Sequence, residues 1–269
     1  MFERLRQAFR YQSADATSTQ RSPNPWKISV YPFIQTLQHI DAQDLHDLNL
    51  FLNGLSRLLA SDCRPTSQLG QEAFALGFNP PDSQIFVECG AAGPEFLSNT
   101  FQLQHAFAWR GLLIEPNPAF VAELSQRASD VVHVIPCAAG SLGSINLVCA
   151  QELSTAIEFI DVDDHAPERR AASLRGDVHV AQKRPLSDIF DESFANEDRI
   201  GFLSIDVEGS EQDVLDSLDW ARWRPRTVAV EHNNRQPLET DIDSFMVDRG
   251  YRRVLSGFTE WDAWYVVIE

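Results

Sequence analysis

What most constrains this chain is a set of short apolar runs, each released into glycine or acid. Ile85-Phe86-Val87-Glu88-Cys89 runs into Gly90-Ala91-Ala92-Gly93, Leu112-Leu113-Ile114 into Glu115-Pro116-Asn117-Pro118, and Phe202-Leu203-Ser204-Ile205 into "DVEGSE". Thr227 to Val230 ends in Glu231-His232-Asn233, and Val131 to Ile135 is followed by Cys137-Ala138. Helical patterns separate most of the runs: Glu95 to Trp109, Ala119 to Arg127, Ser187 to Phe190, Glu211 to Leu218 and Asp241 to Arg249. Strands and helices alternating at this spacing predict an α/β fold with a mostly parallel sheet covered on both faces. A further strand is expected at Ile145 to Cys149. The last two strands, Tyr251 to Leu255 and Ala263 to Ile268, have no helix between them and predict an antiparallel hairpin at one edge. Gln151 to Arg184 is polar and reads as an irregular insertion.

Upstream of residue 80 the pattern is helical. Leu45, Leu48, Leu50, Leu52, Leu55, Leu58 and Leu59 give Tyr31 to Ala60 a wide apolar face, with Asp44 as its expected N-cap. That face is expected to pack over the cleft or to form a homodimer contact. Ser67 to Leu76 reads as a second short helix or turn, and the polar stretch 12–26 as a linker or surface strap. The division expected is a helical N-terminal extension over 1–80 and a catalytic domain over 81–269. Residues 1–12 place Phe2, Leu5 and Phe9 on one face with arginines elsewhere. Such a piece is able to touch a membrane surface, although a loosely ordered or partner-packed terminus is its more ordinary form.

A net charge of −17, with no stripe dense in Lys and Arg, argues against a nucleic-acid partner. The four cysteines are scattered, which suits a reducing cytoplasm rather than a zinc site or a disulfide framework. No apolar run approaches the roughly 20 residues that span a bilayer, and the N-terminus lacks an apolar signal core.

In an open α/β sheet, ligands bind beyond the carboxyl ends of the strands, where the strand order reverses. The residues after each strand therefore enumerate the expected cleft: Glu88, Gly90 and Gly93; Glu115 and Asn117; Cys137 and Ala138; Asp206 and Glu208; Glu231, His232 and Asn233. The loop "ECGAAGPE" lacks the third glycine of a pyrophosphate-binding turn and carries Pro94-Glu95 where the helix opens. A nucleoside with a cationic tail suits it better. Glu88 would hold an ammonium and Glu115 the two ribose hydroxyls, a pair of demands that S-adenosylmethionine meets and a dinucleotide meets only in part.

The segments "FVECGAAGPEFLSNT", "WRGLLIEPNP", Leu153-Ser154-Thr155, "LSIDVEGSEQDVL", "VAVEHNN" and "WDAWYVV" together resemble the FkbM-type methyltransferase family, over about Ser67 to the C-terminus. The resemblance implies a class I methyltransferase (Rossmann-like) fold, S-adenosylmethionine as donor, and O-methylation of a hydroxyl on a sugar, glycan or other polyhydroxylated metabolite. It places Gly90 and Gly93 along the methionine moiety with Glu88 at its amino group, Glu115 at the ribose, and Asn117, Cys137 and Ala138 toward the adenine. Glu88 stands where Asp is more usual, and Ala92 where the loop often carries a polar residue.

A neutral hydroxyl is a poor nucleophile, so its proton must be taken as the new bond forms. Asp206 is the first expected base and His232 the second. A carboxylate needs burial, or a divalent metal acidifying the hydroxyl, to do this work. Asp206, Glu231 and His232 are similar to the ligand set of metal-dependent O-methyltransferases, and such a set favours Mg²⁺ or Mn²⁺; the ordinary alternative is that these acids cap helices. His165, His179, Lys183 and Arg184 lie in the insertion, where a lid over the acceptor or a solvated loop are both natural. Trp261 and Trp264 suit a sugar face or the core. Two rival functions are a nicotinamide-dependent oxidoreductase, which lacks an evident catalytic pair here, and a non-catalytic binding protein that kept the fold.

Overall fold

The computed structural model describes residues 42–61, 63–194 and 199–268. The expected amphipathic piece at 1–12, the strap at 12–26 and the helical start at 31–41 lie outside the described residues. The main sheet has seven strands: β1 (Ile85–Cys89), β2 (Arg110–Ile114), β3 (Val132–Ile135), β8 (Phe202–Ile205), β9 (Thr227–Glu231), β10 (Tyr251–Val254) and β11 (Asp262–Val267). Their order is β10-β11-β9-β8-β1-β2-β3, with β1, β2, β3, β8 and β9 mutually parallel and β11 antiparallel to both neighbours. This is the α/β, mostly parallel arrangement with an antiparallel C-terminal hairpin that the resemblance implies. β11 is not the edge strand; it inserts between β9 and β10.

Alternate residues of these strands serve two separate cores, because successive side chains point to opposite faces. Val87, Leu112, Leu203, Val228 and Tyr265 meet the apolar sides of α6 (Leu186–Ser193), α7 (Glu211–Asp216) and α8 (Gln236–Asp248). Phe86, Leu113, Phe202, Ala229 and Trp264 meet α1 (Ala42–Ala60), α2 (Gln71–Phe78) and α3 (Phe101–Phe107). With both faces covered, the strands are near-continuous apolar runs, as parallel strands usually are. In α1, Leu48, Phe51, Leu55 and Leu58 are buried in this second core, while Leu45 and Leu59 at the two ends of the helix remain exposed. Gly54 and Gly77 let α1 and α2 approach closely: a Cβ on Gly54 would lie 1.9 Å from the Ala73 carbonyl oxygen. Asp44 sits inside the first turn of α1 rather than capping it. Trp264 stacks on Phe74 at 4.7 Å and is a core residue.

The expected irregular insertion is ordered. Leading into it, β4 (Ala138–Ala139) and β5 (Gly143–Val148) join β6 (Thr155–Ala156) and β7 (Val178–Arg184) in a second sheet of order β4-β7-β5-β6. The helix α5 (Ala166–Arg175) lies between β6 and β7, opening with a proline and closing at Gly176, whose φ of 82° is the left-handed C-cap conformation. α4 (Pro118–Leu124) comes after β2. The chain builds outward from β1 through β2 to β3, then returns to build β8 and β9 on the other side. The reversal between β1 and β8 is the topological switch point where such folds place a ligand.

Candidate functional site

A cavity of about 460 Å³ opens at this switch point. Its floor comes from the carboxyl ends of β1, β2, β8 and β9, through Gly90, Glu115, Asp206 and Glu231. The second sheet and its connections roof it, through Ala138, Ile145, Leu147, Ser154, Asp163 and Lys183. The insertion thus lies over the cleft as a lid would. Gly90 has φ 79°, and a Cβ there would lie 1.7 Å from the Asp206 carbonyl oxygen. Only glycine lets the β1 and β8 ends come together.

At the β2 end, Glu115 is fixed by two backbone donors. The Asn117 N–H gives to Oε1 at 2.7 Å and the Ala92 N–H to Oε2 at 2.9 Å. Burial pushes its carboxyl up to about 7, against the lowering effect of those donors. Ala92 holds a positive φ of 45°, a strained setting for an L-residue that aims its N–H at Glu115. Asn117 is the N-cap of α4: its Oδ1 accepts from the Ala119 N–H at 3.0 Å, and its Nδ2 donates to Ser154 at 3.2 Å.

Glu88 lines the cavity, yet its carboxylate is already engaged. It accepts from the Asn99 N–H at 2.6 Å, the Thr100 hydroxyl at 2.5 Å and the Ser98 hydroxyl at 3.1 Å, with Arg127 at 3.7 Å. The Arg127 guanidinium also donates to both of those hydroxyls. Glu88 therefore organises the turn before α3. This explains why that helix begins at Phe101 rather than at Glu95: Ser98 to Thr100 wrap the carboxylate instead of entering a helix.

At the opposite end, Asp206, Glu208 and Glu231 bring carboxylate oxygens within 4.8 Å of one another. Burial, and then the neighbouring Glu208 charge, push Asp206 well above the carboxylate range; burial and Asp206 do the same to Glu231. Burial raises Glu208 to about 7 although Arg169 opposes it. Arg169 is fully buried. It donates to both Asp163 oxygens at 2.9 Å, to Glu208 at 2.5 Å and to the Leu153 carbonyl at 2.9 Å. One side chain thereby ties the lid to the β8 end, and Thr155 adds a bond to the Glu208 carbonyl at 2.6 Å.

Of the residues expected at the cleft, Glu88, Gly90, Glu115, Ala138, Asp206, Glu208, Glu231 and Asn233 line the cavity. Gly93 does not, and a Cβ there would meet nothing nearer than 3.7 Å. Cys137 is in the apolar core and Asn117 acts as a helix cap. His232 also lies off the cavity: its Nδ1 accepts from the Asn234 N–H at 3.2 Å, and its Nε2 faces Glu239 at 3.8 Å. Glu208, rather than His232, completes the carboxylate group. The residues not foreseen are Arg169, Arg127 and Asn99. Nothing local in "PERRAASLR" distinguishes Arg169 from its exposed neighbour Arg170, which pairs with Asp161 on the surface.

The sequence matches the methyltransferase FkbM domain over residues 88–253. No protein of curated function matches it. Among solved structures, an FkbM methyltransferase from Methylobacillus flagellatus KT aligns at 19% identity with a TM-score of 0.42, covering 84% of this chain and 60% of that one. A precorrin-6y C5,15-methyltransferase from Geobacter metallireducens GS-15 aligns at 12% identity with a TM-score of 0.39, covering 70% and 73%. The chain thus spans about 60% of the length of the first of these relatives. With the domain match extending over most of the described fold, the chain belongs to the methyltransferase FkbM domain family.

Proposed function

We propose that the protein transfers a methyl group from S-adenosylmethionine to a hydroxyl of a sugar or other polyhydroxylated metabolite. The observation that carries this reading is the cavity itself: a nucleoside-suited carboxylate, Glu115, at the β2 end and a carboxylate group, half-buried at Asp206 and Glu208 and buried at Glu231, at the β8 and β9 ends. The donor supplies an electrophilic methyl on a sulfonium that leaves as a neutral thioether. Glu115, held by two N–H groups, has lone pairs left to accept from the ribose hydroxyls. Gly90, which lines the cavity without a side chain, would leave room for the methionine end. Asp206 takes the acceptor proton. Burial, and then the neighbouring Glu208 charge, raise its proton affinity well above that of an ordinary carboxylate, which answers the objection that such a group is too weak a base. The four cysteines are free, which fits a reducing compartment.

A second reading is favoured by the carboxylate geometry alone. Asp206, Glu208 and Glu231 form an all-oxygen set suited to Mg²⁺ or Mn²⁺, which would acidify the acceptor hydroxyl. His232, expected in that set, would take no part.

Calorimetric titration with S-adenosylmethionine tests the donor site. Wild type should bind, and Glu115→Ala should weaken binding about tenfold to hundredfold, the loss of roughly 1.5–3 kcal/mol for a charged hydrogen-bond acceptor. No binding by wild type, or unchanged binding by the variant, would remove the reading. Titration of Mg²⁺ and Mn²⁺ into wild type and Glu231→Gln decides the ion: no heat, with turnover indifferent to EDTA, leaves Asp206 to act without a metal.

A further inference from the structure

We infer that the acceptor carries no negative charge: it is a neutral or amine-bearing polyol, not a phosphorylated or carboxylated sugar. The inference rests on the methyl-transfer reading of the cavity and concerns the space left beyond the donor.

An anionic acceptor needs a cation or a free helix N-terminus to receive it. Among the described residues, the basic side chains that line the cavity are His165 and Lys183. Lys183 is committed, its Nζ 2.8 Å from Asp213 at the edge of the site. Arg169, just behind the lining, gives its donors to Asp163, Glu208 and the Leu153 carbonyl. Arg127 serves the Glu88 network. Of the helices that start beside the cavity, α7 opens with Glu211, which accepts from the Gly209 N–H at 2.7 Å and pairs with Arg235, α4 is capped by the Asn117 side chain, and α5 starts behind Asp163 and Asp164 with Glu168 in its first turn.

The acids, by contrast, are in excess. Glu152 and Asp164 line the cavity with no basic partner among the described residues, and Asp206 and Glu231, whose protonated forms burial favours, also line it without one. Asp163 and Glu208 share the single charge of Arg169. The donor's own positive charge accounts for part of this field. Glu152 and Asp164, however, come from the lid rather than from the strand ends that hold the donor. A phosphate or carboxylate entering there would meet like charges, with the His165 imidazole as the one basic group of the described lining not already paired, an arrangement that disfavours anions.

The remaining lining suits hydroxyls. Gln68, Asn233 and Asn234 offer amides that both donate and accept, and Trp261 adds an aromatic surface. Trp261 is also tied to the strand end, its carbonyl accepting from the His232 N–H at 2.7 Å. Neutral hydrogen-bonding groups and an aromatic plane fit a sugar, and the surplus carboxylates tolerate or favour an ammonium on it.

The test uses the protein saturated with S-adenosylhomocysteine, whose binding is first confirmed by calorimetry. Saturation-transfer NMR then measures binding of monosaccharides in matched neutral, amino, phosphorylated and carboxylated forms. Neutral and amino forms should bind at least tenfold more tightly than the anionic forms. The gap should shrink in high salt and in the surface double variant Glu152→Gln/Asp164→Asn, as expected for charges within a screening length of about 10 Å. Anionic forms that bind as well or better would overturn the inference. So would a failure of every form to bind while S-adenosylhomocysteine stays bound. Loss of S-adenosylhomocysteine binding itself would instead strike the donor reading beneath it.

Discussion

Replacing Arg169 with methionine should cost about 3–5 kcal/mol of stability, the usual penalty for removing one partner of a buried ion pair. At roughly 2–4 °C per kcal/mol for a domain of this size, the melting temperature should fall by about 10 °C. The size of the effect comes from the groups left behind. Methionine fills much of the guanidinium's space but leaves Asp163, Glu208 and the Leu153 carbonyl without their donors. Arg169→Lys should recover only a fraction, because one ammonium cannot serve three directions that the planar fork serves at once.

The effect should also depend on pH, with a sign set by Glu208. Its carboxyl is already raised to about 7 with Arg169 in place, and losing the cation raises it further. In mild acid Glu208 is then neutral, and its orphaning costs less. The Arg169→Met penalty should therefore be smaller near pH 5 than at pH 8. Adding Glu208→Gln should recover part of the loss, since a double-mutant cycle reports groups that touch. Thermal denaturation of the variants at both pH values measures all of this. A fall of under about 2 °C at pH 8 would mean that Arg169 does not hold the lid to the β8 end.

The legible and the hidden parts of this fold divide according to where the forces are local. β8 is expected at Phe202 to Ile205 and lies there, because four buried residues between a glycine and an acid leave one register open. Glu115, Asp206 and Glu231 are legible as cleft residues for a related reason: a parallel strand delivers the residues at its carboxyl end to the ligand side of the sheet. His232 departs from that expectation because alternation stops with the strand. Asn233 and Asn234 take positive φ of 48° and 55°, and this turn leaves the imidazole facing Glu239. α5 and β7 escape a reading by pattern because their apolar residues do not mark a buried face: Leu174, Val178 and Val180 are exposed, and β7 pairs with β5 and β4. Such pairing is non-local, and no window of sequence records it. The partner of the N-terminal helix is hidden for the same reason. Leucines on α1 declare an apolar face but not its counterpart, which is α2 and the sheet.

Stability should fall as pH rises from about 5 to about 8, the opposite of ordinary acid denaturation. The cause is a population of buried carboxyls whose proton affinity is raised by burial. Asp262, at the start of β11, is pushed to about 6 and Glu115 to about 7, against ordinary values of about 4. Glu72, Glu88 and Glu211 move in the same direction. Between the unfolded and folded values, the native state holds protons that the unfolded chain has lost. The linkage slope is then negative, and the contribution present below about pH 4.5 is lost by about pH 7. Asp262 and Glu115 are worth roughly 3 kcal/mol each on this reckoning. Between pH 5.5 and 8 the two together lose about 3 kcal/mol of this; allowing half for relaxation, the melting temperature at pH 8 should lie about 4 °C below that at pH 5.5. The net charge of −17 acts with the same sign, since mild acid reduces self-repulsion. Asp262→Asn isolates one contributor. One oxygen of Asp262 receives both the Gln71 amide at 2.9 Å and the Trp264 indole at 3.0 Å, and the asparagine carbonyl can receive both. The variant should therefore keep its bonds, gain stability at pH 8 and show a flatter pH dependence. Wild type melting at least as high at pH 8 as at pH 5.5, in scans at constant ionic strength, would show that these acids ionise in the folded protein without cost.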